Sequence, residues 1–548
     1  KKYYVEKSQI EDKTIASSSL QGFDSKNQIT INYPQVQIGS HLYLEEKRSE
    51  FIPRIKNFWS TKIDSWSFQP IQKGSSVKII SKRPLFLEIK SFATKFEDKI
   101  KIEKSSNHRK KEYILKMTAK EDLYYAPIEE KYAYTAESIP YILVSTSQSM
   151  PQVLKEVSNQ YEKIVSTSLP EELSKIAQEA SKEKTLNSRT ELITAKLIKT
   201  IRYHGDWRTV NGKFIPRSLK EIVQSEYGDC KDYSACLVAI LRKLNYKASS
   251  ALVYRSEHYQ PLSNSLPHHS LFNHAIVHVK SQGKDHWFDP TNNFAYSKSP
   301  LADISGREAF VLSSKKPFVA KIPAIKLADN KFYHKKITSF MDNGTAKITS
   351  ERTFHGLSAF SLACRLYSLS DTQVKYELTQ SIAHGKTIKE NTHFQLSQDF
   401  SKNIIVNKPI KTSSKITIVD KPTKTTAGYG YTLYNWLSFY SDIDPKEYHT
   451  SGINIGSREE TNVEHIIKNK KVITGNKDKI SDQIKSPWFE YKRAITQVGN
   501  DIVITQNIKT LRRYITNKEL RSQKFALFQK KLRNEFSDIT LIFNNLNT

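Results

Sequence analysis

Along the first 145 or so residues, apolar and polar positions alternate with a period of two. Gln28–Tyr33, Leu42–Glu45, Val77–Ile80, Leu85–Ile89 and Glu112–Met117 are short alternating segments, punctuated by Pro34, Gly39, Pro53, Gly74 and Pro84. Half-buried strands joined by tight turns have this pattern, which predicts an antiparallel β-sandwich over residues 1–150. The period then lengthens. Gln152–Val165, Pro170–Lys184 and Arg189–Tyr203 place apolar residues at helical spacing, and Pro170 before Glu171-Glu172 is a helix-start signal. From Lys316 alternation returns, in Lys347–Thr353, Lys375–Ile382, Asn403–Val406, Ile416–Val419 and Asp501–Ile504. Near the end, Thr516 and Glu519 form a capping box, followed by a stripe of Leu520, Leu527, Phe528, Leu532 and Phe536. The expected fold is therefore α+β and multidomain. An N-terminal β-sandwich (1–150) leads to an α+β core (151–315), then to a β-rich region with a closing helix (316–548).

Composition narrows this picture. A length of 548 residues suits three or four domains at roughly 100–200 residues each. Hydrophobic residues at 38% and aromatics at 11% suffice for packed cores and exclude wholesale disorder. No apolar run reaches the ~18 residues of a membrane-spanning helix. Three cysteines (Cys230, Cys236, Cys364) cannot build a disulfide framework, and without CxxC pairs neither a zinc site nor any other metal or cofactor is expected. The net charge of +29 invites a polyanion partner, but the surplus is spread: residues 316–548 hold 37 basic and 21 acidic residues, against 17 and 11 in residues 186–312. The local runs Lys99–Lys120 and Lys468–Lys479 suit solvated hairpins, and no nucleic-acid-binding motif accompanies them. Specific nucleic-acid binding is therefore not expected, and attraction to an acidic envelope surface is the stronger electrostatic expectation. The first residue is Lys1 rather than Met, which suggests a processed N-terminus and leaves secretion open.

The candidate chemistry lies between Ile201 and Asn293. Tyr233, Cys236, Leu237, Ile240, Leu241 and Leu244 repeat at helical spacing, and Gly228-Asp229 breaks the structure before them. Cys230 should then occupy a first helical turn, where unpaired backbone N–H groups and the helix dipole favour a thiolate. Cys236 lies on the apolar stripe and reads as a small buried hydrophobe. Downstream, Phe272–Val279 and His286–Pro290 flank Ser281-Gln282-Gly283-Lys284 and read as a hairpin. A turn on Ser281-Gln282 sets His274 directly opposite Asp289, whereas a turn on Gln282-Gly283 makes them diagonal neighbours. In either register a carboxylate lies within reach of an imidazole. Cys230 is thus a candidate nucleophile, His274 its proton acceptor and donor, and Asp289 the group that orients the imidazole. The Cys230 backbone N–H can serve as one oxyanion donor, with Tyr203 or Trp207 as candidates for the second. His278 reads as a core or rim residue and His268-His269 as a solvated loop, while His286 receives no role.

These residues carry a resemblance. Ile201-Arg202-Tyr203, Pro216, Gly228-Asp229-Cys230-Lys231-Asp232, Phe272-Asn273-His274 and Trp287-Phe288-Asp289-Pro290-Thr291 together resemble the transglutaminase-like superfamily. Tyr33–Ser40 and Trp66–Pro70 look like the N-terminal β domain of the DUF3857 type, which precedes this core in bacterial proteins, and Gly306-Arg307-Glu308-Ala309 also fits. The resemblance implies a papain-like core with a Cys230, His274, Asp289 triad. It also implies acyl transfer at amide bonds through a thioester, with no metal and with a protein or peptide substrate. Members are typically exported to the bacterial envelope, so a periplasmic or secreted location is implied. Asp229 and Lys231 depart from the Gly-Gln-Cys-Trp of animal cross-linking enzymes, which leaves glutamine specificity, calcium dependence and the choice between amine and water acceptor open. The alternative is a catalytically inactive core whose β domains bind a protein or envelope partner.

Overall fold

The structure is a computed structural model. It describes residues 2–14, 22–23, 27–45, 55–64, 67–91, 95–125, 140–206, 214–255, 265–313, 315–400, 403–433, 443–447, 452–473, 482–536 and 539–545. Near the N-terminus, Ser76–Ser81, Glu112–Ala119 and Ile100–Asn107 form one antiparallel sheet, and Ser60–Asp64, Tyr141–Ser145 and Phe86–Lys90 another. Leu115 and Met117 of the first share an apolar cluster with Ile142 and Val144 of the second. Leu42–Glu45 do not form a strand, and Leu42, Tyr43 and Leu44 are exposed. Alternation gives a segment two faces but not a neighbouring edge to pair with.

Five helices follow: α1 Met150–Val165, α2 Glu171–Ser181, α3 Leu186–Thr200, α4 Leu219–Ser225 and α5 Cys230–Lys243. Helix α5 is buried along nearly its whole length, in one cluster with α2, α3, α4 and the sheet residues Ala248, Val277, Val279 and Phe288. That antiparallel sheet runs in the order Lys284–Phe288, His274–Ser281, Lys247–Val253, Glu308–Val311, Phe318–Lys321. Helix α3 stops earlier than its apolar spacing predicts. Its last residue is Thr200, and Arg202-Tyr203 instead pair in parallel with Tyr227-Gly228.

Beyond residue 325, eight strands form one sheet: Ile388–Leu396, Ile410–Val419, Thr345–Gly356, Asn330–Phe340, Glu459–Ile467, Asp501–Thr510, Phe489–Val498 and Asp482–Lys485. Only the central pair, Asn330–Phe340 with Glu459–Ile467, is parallel. Two helices interrupt the strand order, α6 Leu357–Leu366 and α7 Asp371–Ala383. Lys375–Ile382, expected as a strand, lies inside α7. Val374, Leu378 and Ile382 are among its buried residues, and Ser370 with Gln373 forms its capping box. A four-residue period lay beneath the two-residue alternation, and the cap decided between them. Of Asn403–Val406, only Ile405 pairs, in an isolated bridge to Ala295.

The end of the chain also departs from expectation. Thr516 caps a short helix, Asn517–Leu520, and a longer one follows at Gln523–Phe536. The break at Arg521-Ser522 resets the helical phase, so Phe525 joins Leu520, Phe528 and Leu532 in the core while Leu527 is 59% exposed. Nor does a helix close the chain. Strand Ile539–Asn545 follows and pairs with Gly428–Leu433 and Lys470–Val472.

Gly356 makes the switch from strand to α6 at φ 57°, ψ −123°. A Cβ there would stand 1.7 Å from the Asp329 carbonyl oxygen. Backbone strain and a backbone clash therefore act together, and Gly356→Ala should lose about 3 kcal/mol or more of stability. Urea denaturation of the two proteins checks this; an unchanged midpoint would contradict it.

Candidate active site

Cys230 is the first residue of α5. Asp229 caps the helix in extended backbone, its carboxylate accepting from the Lys231 N–H at 3.1 Å. The charges around the cysteine are not solvated; they are paired and buried. Lys231 bonds Asp229 through its ammonium. Arg217 grips Asp232 through its backbone N–H at 3.0 Å, Nε at 3.2 Å and Nη2 at 2.9 Å. Gly228 is dictated by space, since a Cβ there would meet the Asp232 Cβ at 2.8 Å. Together these contacts hold the helix start rigidly. The Cys230 side chain is half-buried and not in a disulfide.

The hairpin turns on Gln282-Gly283, both at positive φ, with Ser281 paired to Lys284 and Val277 to Phe288. Positive φ at both central residues matches the strand twist. Asp289 therefore lies just past the strand as a diagonal neighbour of His274, with its Oδ2 3.0 Å from the imidazole Nε2. The other carboxylate oxygen accepts from the Thr291 hydroxyl at 2.6 Å and the Thr291 N–H at 3.1 Å. Burial alone would pull His274 down. The charge and hydrogen bond of Asp289, then the hydrogen bond and charge of Cys230, outweigh it and raise His274 to about 10. Burial pushes Asp289 up, but the His274 charge and hydrogen bond, with Arg255 and Thr291, hold it far below the carboxylate range. With Nε2 occupied by Asp289, Nδ1 is the nitrogen left for Cys230. Cys230 and Asp289 thus both act on the imidazole.

Tyr203 reaches the same site because α3 ended early. Burial, then the negative charges of Cys230, Asp229 and Asp289, push its hydroxyl well above the ordinary phenol range. Its ring packs on Tyr233 at 5.9 Å. Trp207, the other candidate, lies outside the described residues.

Sequence reasoning missed Arg255. It follows the strand Lys247–Val253, in a stretch with no motif, yet its Nη1 lies 3.4 Å from Asp289 Oδ2 and 3.5 Å from His274 Nε2. Only the fold brings residues this far apart in sequence together. His268 is not solvated: it is 2% exposed, and burial, then the Lys62 and His269 charges, bring it down to about 3. The N-terminal region covers this loop, with Ser60 accepting from the His269 N–H and Phe58 packing on the His269 ring. His278 is buried, pairs with Asp285 at 2.9 Å and packs on Trp287, as a rim residue would. Among the described residues, no group of three or more His, Cys, Asp or Glu is arranged to hold a metal. No helix among them is long and apolar enough to cross a membrane.

No family model matches the chain, and no curated protein matches it. Two structures of the periplasmic domain of TgpA from Pseudomonas aeruginosa, one bound to ethylmercury, align with 44% of this chain and 86% and 84% of theirs. They do so at 12% and 14% identity and TM-scores of 0.17, too low to bear on the fold. A crystal structure from Parabacteroides distasonis, provisionally described as a protease, aligns with 99% of this chain and 86% of its own at 13% identity and a TM-score of 0.58. The chain thus shares its fold with that protein over nearly its full described length.

Proposed function

We propose that this chain is a cysteine-dependent enzyme of the transglutaminase-like kind, with a papain-like core that acts on amide bonds through a thioester. The observation that carries the reading is the chain of contacts from Cys230, at the start of α5, to His274 and on to Asp289 at 3.0 Å. In this mechanism Cys230 Sγ bonds to the carbonyl carbon, and the C–N bond breaks as His274 protonates the leaving amine. An amine or water then attacks the thioester, giving its proton to His274 while the thiolate leaves. The first acceptor makes the enzyme a transferase, the second a protease or amidase. Two donors are proposed for the oxyanion, the Cys230 backbone N–H and the Tyr203 hydroxyl, which its buried, negatively charged surroundings keep protonated. The fold shared with a protein described as a protease supports amide chemistry. A protein or peptide substrate, a DUF3857-type N-terminal domain and a periplasmic or secreted location belong to the same proposal.

The test is alkylation by iodoacetamide at pH 7, read by peptide mass spectrometry. Cys364 is an internal reference, because burial, only partly offset by the Arg255 charge, pushes its thiol up to about 11. Cys230 should react at least about tenfold faster than Cys364, and lose that advantage in His274→Ala. Equal, slow labelling of Cys230 in both proteins would refute the reading in favour of an inactive scaffold.

A further inference from the structure

We propose that Arg255 is a positioning residue of this site: its guanidinium keeps Asp289 ionised and bonded to Nε2 of His274 after the imidazole has given up its proton, so that Nδ1 remains the nitrogen serving Cys230. The inference rests on the triad reading above and adds a member to it.

A buried carboxylate facing a charged imidazole is paired; facing a neutral one, it is not. Halfway through each acyl transfer His274 is neutral, and burial then favours uptake of a proton from solvent by Asp289. A protonated Asp289 would donate to Nε2 and hold the ring's one proton on Nδ1, leaving the lone pair on the wrong nitrogen. A second cation against the carboxylate prevents it. Arg255 meets Asp289 Oδ2 at 3.4 Å, and its own position is fixed from several directions. Its Nε bonds Asp303, Nη2 donates to Asn292 Oδ1 at 3.2 Å, and Nη1 lies 3.4 Å from Thr291 Oγ1. Its backbone is stapled by Asn273, whose Oδ1 accepts from the Arg255 N–H at 2.7 Å and whose Nδ2 donates to the Arg255 carbonyl at 2.9 Å. Asn273 immediately precedes His274, so the clamp and the imidazole are set by the same turn of chain. This also gives Asn273, Thr291 and Asn292 a shared task, holding the cation to the acid.

The sign of its effect follows from the groups facing the imidazole and its clamp. Cys230 and Asp229 lie at the start of α5, Tyr203 on its short strand, Asp289 and Asp303 on the loops, and Cys364 on α6. Lys231 pairs with Asp229, and Arg255 is the cation against Asp289. Removing it makes both His274 and Asp289 harder to deprotonate.

The experiment is an NMR titration of His274 in full-length protein carrying Cys230→Ala, which removes the upward push of Cys230 and any dependence on activity. Arg255→Gln keeps polarity but not charge; Arg255→Lys keeps charge. In the Gln variant His274 should titrate about tenfold more basic, while in the Lys variant it stays near the parent. With Cys230 restored, the Gln variant should still be alkylated at pH 7 within about twofold of wild type, because the cysteine–imidazole pair persists. An unmoved or less basic His274 in the Gln variant would overturn the proposal. So would a Lys variant that shifts as far as Gln, or a collapse of alkylation, which would mark Arg255 as purely structural. If Cys230 in the wild type labels no faster than Cys364, the acyl-transfer reading fails while the titration still judges the clamp.

Discussion

Asp289→Asn is expected to lower turnover of any peptide amide the enzyme accepts by about 10³–10⁴-fold while leaving the fold intact. The amide is the same size but cannot stabilise an imidazolium, and its NH₂ can turn the ring to the wrong tautomer. The pH dependence gives a second readout. His274 stands at about 10 in the folded protein against an ordinary 6.5, with Asp289 supplying the largest upward push against burial. A raised histidine contributes stability that is fully present below pH 6.5 and is lost as pH rises through about 10. The lowered carboxylate contributes above its ordinary 3.8 and loses that contribution as pH falls. Both describe one interaction, so the stability difference between wild type and Asp289→Asn should be widest between pH 3.8 and 6.5 and shrink towards pH 10. Denaturation at pH 5.5 and pH 9.5 measures it. A difference that grows with pH would show that Asp289 does not pair with a protonated His274.

Cutting the chain after residue 315 is expected to abolish folding of the remainder rather than release a working core. The sheet that carries His274 has two apolar faces. One packs on α5. The other contributes Ala251, Val253, Ile276 and Trp287 to a cluster completed by Leu357, Phe360, Ala363 and Leu366 of α6 and Val374 and Leu378 of α7. The stretch after Asp289 is anchored to the same region. Phe294, fully buried, packs on Tyr367 and Phe400, and Ala295 exchanges backbone hydrogen bonds with Ile404 and Val406 at 2.8 and 3.0 Å. Each large buried side chain stripped of its partners costs about 2–5 kcal/mol, and a whole domain has only 5–15 kcal/mol to lose. Fragment 1–315 should give no cooperative thermal transition and bind a hydrophobic dye; a sharp transition near that of the full chain would refute the dependence.

Legibility differed between parts of the site for identifiable reasons. Cys230 was readable because a helix start has a local signature, a glycine and a capping aspartate before an apolar repeat. His274 and Asp289 were readable because a short hairpin converts sequence separation into spatial distance, although only Gln282 and Gly283 at positive φ chose between its two registers. Arg255 had no signature, since the residues it joins reach it from Asn273, Asp289, Asn292 and Asp303. Two of the misjudged elements were decided by local signals. In Lys375–Ile382 two periods fitted the same residues and a cap selected one, while around Leu527 a break in the helix reset the phase.

By itself, then, the amino-acid order determined what neighbours along the chain can determine: alternating strands at both ends, helices in the middle, a cysteine opening the best-defined helix, and a histidine and aspartate within reach across a turn. The +29 charge, prominent as a number, says little about the site, whose charged groups neutralise one another in buried pairs. Tertiary structure alone decided which loops are buried, that His268 lies under the N-terminal sheet, that α6 and α7 close the second face of the core, and that a guanidinium stands against Asp289. Local periodicity specifies how a segment folds and which face is apolar. What covers that face, and which charge meets a buried carboxylate, depends on segments tens to hundreds of residues away.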